Sequence, residues 1–205
     1  MSEISVCRLP LGPYQTNCYL LSCPSTKEGI IVDPSAEPDE ILKAAQGLKV
    51  NYVFITHTHF DHLQALAEVK ESLGIPIVAH PLAAQKISMD RALQDGESLS
   101  FGEIQGTVLY TPGHTPDSIC LLSGKTLIAG DTLFPGGPGK TGSPEAFQQI
   151  LRSLEGKIFG LPDETVVYPG HGGETTVGQA RAEYELFRSK PRTTPVYGDV
   201  LWLSA

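Results

Sequence analysis

The stretch that most constrains this chain is Thr56-His57-Thr58-His59-Phe60-Asp61-His62, which places four potential metal ligands within six positions. It follows an apolar, β-prone run, Val50-Asn51-Tyr52-Val53-Phe54-Ile55. It precedes Leu63, Leu66, Val69 and Leu73, whose spacings of three and four predict a helix. The cluster therefore sits where a buried strand gives way to a helix. His57 and His59 are two apart, so on extended backbone their rings can point the same way. Asp61 and His62 fall where the chain turns, and can face the same space from another side. Three of the six histidines lie in this one turn, a concentration that few metal-free roles explain.

With 205 residues the chain can bury one sizeable core, and residues 1–205 are expected to form a single domain. A formal net charge of −8 opposes nucleic-acid binding through phosphate neutralisation. No run of 18 apolar residues is present, so no membrane span is expected. The start, Met1 to Ser5, lacks the charged and apolar stretches of a signal peptide, which predicts a cytoplasmic location. Cys7, Cys18, Cys23 and Cys120 form no CxxC pair and read as small apolar residues, not disulfide partners.

Along the chain, strands are predicted at 4–9, 17–22, 29–33, 50–55, 74–79, 105–110, 118–122, 126–129 and 165–168. Helices are predicted at 37–48, after His62, and at 81–88, 144–154 and 177–189, with 90–100 left as a polar loop. Ser123-Gly124-Lys125 signals a hairpin. A βαβ-like opening followed by a hairpin predicts mixed sheets covered by helices, an α/β protein.

The informative pattern is positional. The 57–62 cluster, His114 in Pro-Gly-His-Thr-Pro, Asp131 in Gly-Asp-Thr and His171 in Pro-Gly-His-Gly-Gly each lie just beyond a predicted strand. Loops at strand ends are where ligands gather in α/β architectures. Seven side chains (His57, His59, Asp61, His62, His114, Asp131, His171) are too many for one tetrahedral ion, but suit two ions sharing a carboxylate. Asp131 is the natural shared ligand, because a carboxylate can bridge and a neutral imidazole cannot. His80, which ends the 74–79 strand, has no such motif and is expected to be structural or to hydrogen-bond near the site.

These four ordered motifs resemble the metallo-β-lactamase superfamily, and within it the glyoxalase II-type hydrolases. The resemblance spans roughly residues 14–178. It implies an αβ/βα four-layer sandwich of two mixed sheets with helices outside, and a dinuclear site at one edge. It also implies that His57, His59 and His114 hold a first ion, that Asp61, His62 and His171 hold a second, and that Asp131 bridges. Two divalent ions, zinc foremost with iron or manganese as alternatives, suit imidazole and carboxylate donors. Full-length glyoxalase II has a further helical domain after its last metal histidine. The short stretch after His171 predicts that no such C-terminal domain is present. Gly139-Lys140 matches the family loop, but the aromatic that helps contact glutathione has no counterpart at Thr141-Gly142.

The expected reaction is hydrolysis of a thioester of a small thiol. A water held by two metal ions loses a proton as its pKa falls from ~15.7 to roughly 7, and the hydroxide attacks the carbonyl. Asp61 and Asp131 are the expected catalytic carboxylates, and Lys140 the substrate-binding cation. The alternatives are a persulfide dioxygenase with one iron, whose loop usually has Arg where Lys140 stands, a lactone or ester hydrolase, and a non-catalytic metal-binding protein. The small-molecule partner is expected alone, without nucleic acid or membrane.

Overall fold

The computed structural model describes residues 3–191 and 194–204. The chain opens with strands β1 (Ser5–Leu11), β2 (Thr16–Ser22) and β3 (Glu28–Val32), then helix α1 (Pro38–Ala44), strand β4 (Lys49–Phe54), helix α2 (Leu66–Leu73), and strands β5 (Ile77–Ala79) and β6 (Arg91–Ala92). These strands form one six-stranded sheet in chain order, antiparallel from β1 to β3 and parallel from β3 to β6. Strands β7 (Ser98–Phe101), β8 (Ile104–Tyr110), β9 (Ile119–Ser123) and β10 (Thr126–Gly130) then run antiparallel. The two-residue strands β11 (Leu133–Phe134) and β12 (Gly137–Pro138) pair only with each other, ahead of helix α3 (Pro144–Ser153). Strand β13 (Val166–Pro169) returns parallel to β10, with β14 (Thr175–Thr176) at its side and helix α4 (Val177–Ser189) following. The second sheet thus has the order β14-β13-β10-β9-β8-β7.

Side-chain alternation makes the layers. On β2, Cys18 and Leu20 face one apolar cluster with Ile41 of α1 and Val69 of α2, while Tyr19 and Leu21 face another. That second cluster lies between the sheets, with Phe54, Val78, Leu99, Phe101, Val108, Leu121 and Ile128. A third, on the far side of the second sheet, joins Leu127 and Ala129 to Phe147 of α3 and Tyr184 of α4. Strands buried on both faces need unbroken apolar runs, which is why β2 and β4 read so clearly in the sequence. The result is the expected αβ/βα sandwich of two mixed sheets with helices outside.

Several boundaries differ from the sequence expectation. The 90–100 stretch holds β6 and the start of β7, not loop. The Ser98-Leu99-Ser100-Phe101 alternation buries Leu99 and Phe101, but its polar half masks the period in so short a strand. The 37–48 helix closes at Ala44, because the chain turns through Gly47 at φ 82°. The His cluster itself ends in a 3-10 turn over Phe60–His62, and the helix waits until Leu66. The 81–88 helix is a 3-10 segment over Pro81–Gln85. Among the described residues, no helix is long and apolar enough to cross a membrane. All four cysteines are free, with Cys7 exposed and the others buried.

Candidate metal centre

The seven predicted ligands converge at one edge, where the two sheets meet. β4 delivers His57, His59, Asp61 and His62; β8 leads to His114, β10 to Asp131 and β13 to His171. Cross-sheet bonds fix that edge. Asn17 at the start of β2 donates its backbone N–H to Gly170 O at 2.7 Å and its side-chain amide to Pro169 O at 2.9 Å. Tyr19 Oη donates to the same Pro169 carbonyl at 2.6 Å. Ile119 N–H donates to Thr56 O at 2.9 Å, tying β9 to the His cluster.

Three imidazole nitrogens face one point. His59 Nδ1 lies 3.1 Å from His57 Nε2 and 2.9 Å from His114 Nε2. Donors about 2.0–2.1 Å from a tetrahedral zinc stand roughly 3.3 Å apart, so this spacing is that of ligands to one ion. Asp131 Oδ2 lies 3.4 Å from His114 Nε2 and 3.7 Å from His171 Nε2, while its Oδ1 lies 3.4 Å from His62 Nε2. One carboxylate therefore reaches both clusters. In the second, Asp61 Oδ2 lies 3.2 Å from His171 Nε2 and 3.6 Å from His62 Nε2.

The outer nitrogens show why these rings point inward. His57 Nδ1 lies 3.1 Å from Thr56 Oγ1, whose own proton goes to Asp33 Oδ2 at 2.6 Å, so the imidazole is the donor. His62 Nδ1 bonds Asp33 Oδ2 at 2.8 Å. His114 Nδ1 donates to the Lys140 carbonyl at 2.7 Å, and His171 Nδ1 to the Tyr14 carbonyl at 3.1 Å. Each bond sets the tautomer, leaving an Nε2 lone pair aimed at the centre. Two buried atoms, His62 Nε2 and Asp131 Oδ1, have no hydrogen-bond partner, and a cation between them would satisfy both. Gly170 keeps the space open, since a Cβ there would lie 2.1 Å from Asp131 Oδ1. Burial pulls the His62 pKa down, but the neighbouring Asp131 and Asp33 carboxylates outweigh it and raise it to about 10. Burial raises Asp131, yet the neighbouring imidazoles of His62, His57 and His114 hold it well below the usual range. Burial and His62 keep His57 well below its ordinary value, and burial and His114 lower His59.

Several residues here were not legible in the sequence. Asp33, buried at φ 48°, accepts from Thr56 N at 2.8 Å as well as from Thr56 Oγ1 and His62. Its only signal was an acid ending an apolar strand. Buried Asp117 accepts from Thr58 Oγ1 at 2.7 Å, so it links the His114 turn to the residue between His57 and His59. Thr16 Oγ1 donates to Asp61 Oδ2 at 2.8 Å. His80 is outside the converging groups: it stacks on Tyr110 at 4.3 Å and accepts from Leu82 N at 3.3 Å. His80→Ala should therefore leave metal stoichiometry unchanged by elemental analysis; loss of an equivalent would place His80 among the ligands. Lys140 stands exposed beside a recess of about 260 Å³ at the metal edge, which His114, Asp131 and His171 also line.

Two facing αβ layers with a His/Asp cluster at their shared edge define the metal-dependent hydrolases of the metallo-β-lactamase type. The chain belongs to the metallo-β-lactamase superfamily, whose family model matches residues 11–171. It is 29% identical to the hydroxyacylglutathione hydrolase GloC of Haemophilus influenzae, over 89% of this chain and 97% of that protein. The crystal structure of ETHE1 from Myxococcus xanthus is similar at 31% identity and a TM-score of 0.77, covering 85% of this chain and 80% of that one. That of TTHA1623 in a di-iron-bound form is similar at 32% identity and a TM-score of 0.71, covering 85% and 96%.

Proposed function

We propose that this protein is a dinuclear thioester hydrolase acting on acyl conjugates of a small thiol. The observation that carries this is the position of Asp131, whose carboxylate reaches both ligand clusters, with Oδ2 near His114 and His171 and Oδ1 near His62. His57, His59 and His114 would hold one ion, Asp61, His62 and His171 the other, with Asp131 between them. Bound ions would supply a hydroxide near neutral pH and polarise the substrate carbonyl. The protein's own part is orientation. Thr16 fixes Asp61 by hydrogen bond, so that this carboxylate faces the reacting edge with one oxygen committed. Asp33 fixes His62 through its outer nitrogen and the Lys140 carbonyl fixes His114, which leaves the site little to reorganise during reaction.

Lys140 is proposed to hold a carboxylate of the thiol half. Such a contact is the same in ground and transition states, so Lys140→Ala should raise KM more than it lowers kcat. An exposed charge-assisted contact predicts a loss of about tenfold in kcat/KM for a carboxylated thioester. A neutral thioester should be nearly unaffected. Equal losses on both would leave Lys140 only its main-chain role.

The rival is persulfide dioxygenase chemistry, with which the ETHE1 likeness is compatible. The full seven-ligand set and Lys140 in place of Arg favour hydrolysis. The test sets thioester hydrolysis against oxygen uptake with glutathione persulfide, using one preparation purified without added metal. Thioester turnover with two metal equivalents is expected. Fast iron-dependent oxygen uptake with negligible hydrolysis would move the protein to the dioxygenases.

A further inference from the structure

The second cluster is held differently from the first. His171 stands in Gly170-His171-Gly172-Gly173, just past the end of β13 at Pro169. Glycine flanks it on both sides, and glycine leaves a main chain loose unless something fixes it. The His171 side chain is 31% exposed, against 8% for His114 and none for His62, so packing does little to place this ring. Whatever positions His171 must therefore act on the main chain of its turn.

Asn17 does so. Its backbone N–H donates to Gly170 O at 2.7 Å, and its side-chain amide donates to Pro169 O at 2.9 Å and Gly172 O at 3.0 Å. All three hydrogens on its nitrogens enter the turn, and they reach carbonyls on both sides of His171. Asn17 is 1% exposed, so water cannot take over these bonds. A primary amide offers two hydrogens from a short uncharged stem, which Asp, Ser and Thr do not. Residues beside Asn17 reach the same cluster. Thr16 Oγ1 donates to Asp61 Oδ2 at 2.8 Å, and Tyr14 O accepts from His171 Nδ1 at 3.1 Å. Asp61 and His62 follow β4 of the first sheet and His171 follows β13 of the second, so these bonds join the sheets at this cluster. The first cluster has supports of its own, the Lys140 carbonyl on His114 and Ile119 N–H on Thr56 O. Arg8 Nη1 also donates to Gly172 O at 2.8 Å, but from an exposed position where water can replace it.

We propose that Asn17 is a positioning residue for the second ion alone. By clasping the turn it keeps His171 Nε2 at 3.2 Å from Asp61 Oδ2 and 3.7 Å from Asp131 Oδ2, and so sets the affinity of the cluster of Asp61, His62 and His171. The two-ion reading above is the premise.

The test counts zinc in each cluster separately, by anomalous scattering from crystals equilibrated with a zinc buffer, and measures affinity by chelator competition in solution. The native protein should hold zinc in both clusters. In Asn17→Ala, zinc should stay between His57, His59 and His114 and fall below about half occupancy in the second cluster. One ion should be held about tenfold more weakly and the other unchanged. Asn17→Ser keeps one hydroxyl donor, should lose less, and carries the test if the alanine variant does not fold. Arg8→Ala should keep both ions. Equal loss from both clusters would show a general weakening of the fold and overturn the assignment. So would full occupancy of both clusters in the Asn17 variants, a loss in Arg8→Ala as large as in Asn17→Ala, or failure of both Asn17 variants to fold. A native protein with zinc in the first cluster alone would end the two-ion reading itself, and this proposal with it.

Discussion

Replacing Asp131 with alanine should lower bound metal from two equivalents to one or none and reduce thioester turnover by more than about a thousandfold. The carboxylate is half-buried, with Oδ1 3.4 Å from His62 Nε2 and Oδ2 3.4 Å from His114 Nε2. Without it, both clusters lose the negative charge that they share. Among the described residues no neighbouring carboxylate takes its place, because Asp61 reaches the His62 and His171 side. Asp131→Asn keeps the volume but loses the charge, and should retain more of its fold than of its metal. Elemental analysis and a thioester assay on the same preparations check this. An alanine variant that is fully loaded and active would end the bridging role.

The other large effect is expected at Asp33, which touches no reacting atom. Asp33→Ala removes the acceptor for three buried donors: Thr56 N–H, Thr56 Oγ1–H and His62 Nδ1–H. Orphaned buried donors and an unpaired His62 predict a loss of about 3–5 kcal/mol. For a chain of this size that corresponds to a melting temperature lower by roughly 6–15 °C. With its outer nitrogen free, His62 can rotate or change tautomer, so metal affinity should fall by about 10- to 100-fold. Asp33→Asn preserves an acceptor for Thr56 but presents an amide to His62. It should recover much of the stability and less of the affinity. Thermal melts and competition with a chelator separate the two effects. Unchanged affinity in Asp33→Ala would show that His62 needs no outer partner.

The sequence by itself determined which His and Asp side chains gather at the strand ends, and the layer pattern. Strands β2 and β4 are apolar on both faces, and His57, His114, Asp131 and His171 each follow a strand within a few residues. A strand's end is fixed by its own residues, so a ligand beyond it is legible locally. Only the tertiary structure decided how those ligands are held. The partners of His114 and His171 are the carbonyls of Lys140 and Tyr14, which any residue could supply. Side-chain identity carries no trace of them. Asp33 reaches Thr56 and His62 because β3 pairs in parallel with β4, a register that the residues of β3 do not encode on their own. The two ligand clusters meet at one edge because the second sheet packs its Val108, Leu121 and Ile128 against Tyr19 and Phe54 of the first. The 194–204 segment reaches the recess that Lys140 lines because Trp202 finds its buried place beside Phe159 and Tyr184. Burial of apolar area is non-directional and acts on whatever surfaces the topology brings together. Contacts between distant segments are therefore set by the packed fold, and local sequence pattern stops short of them.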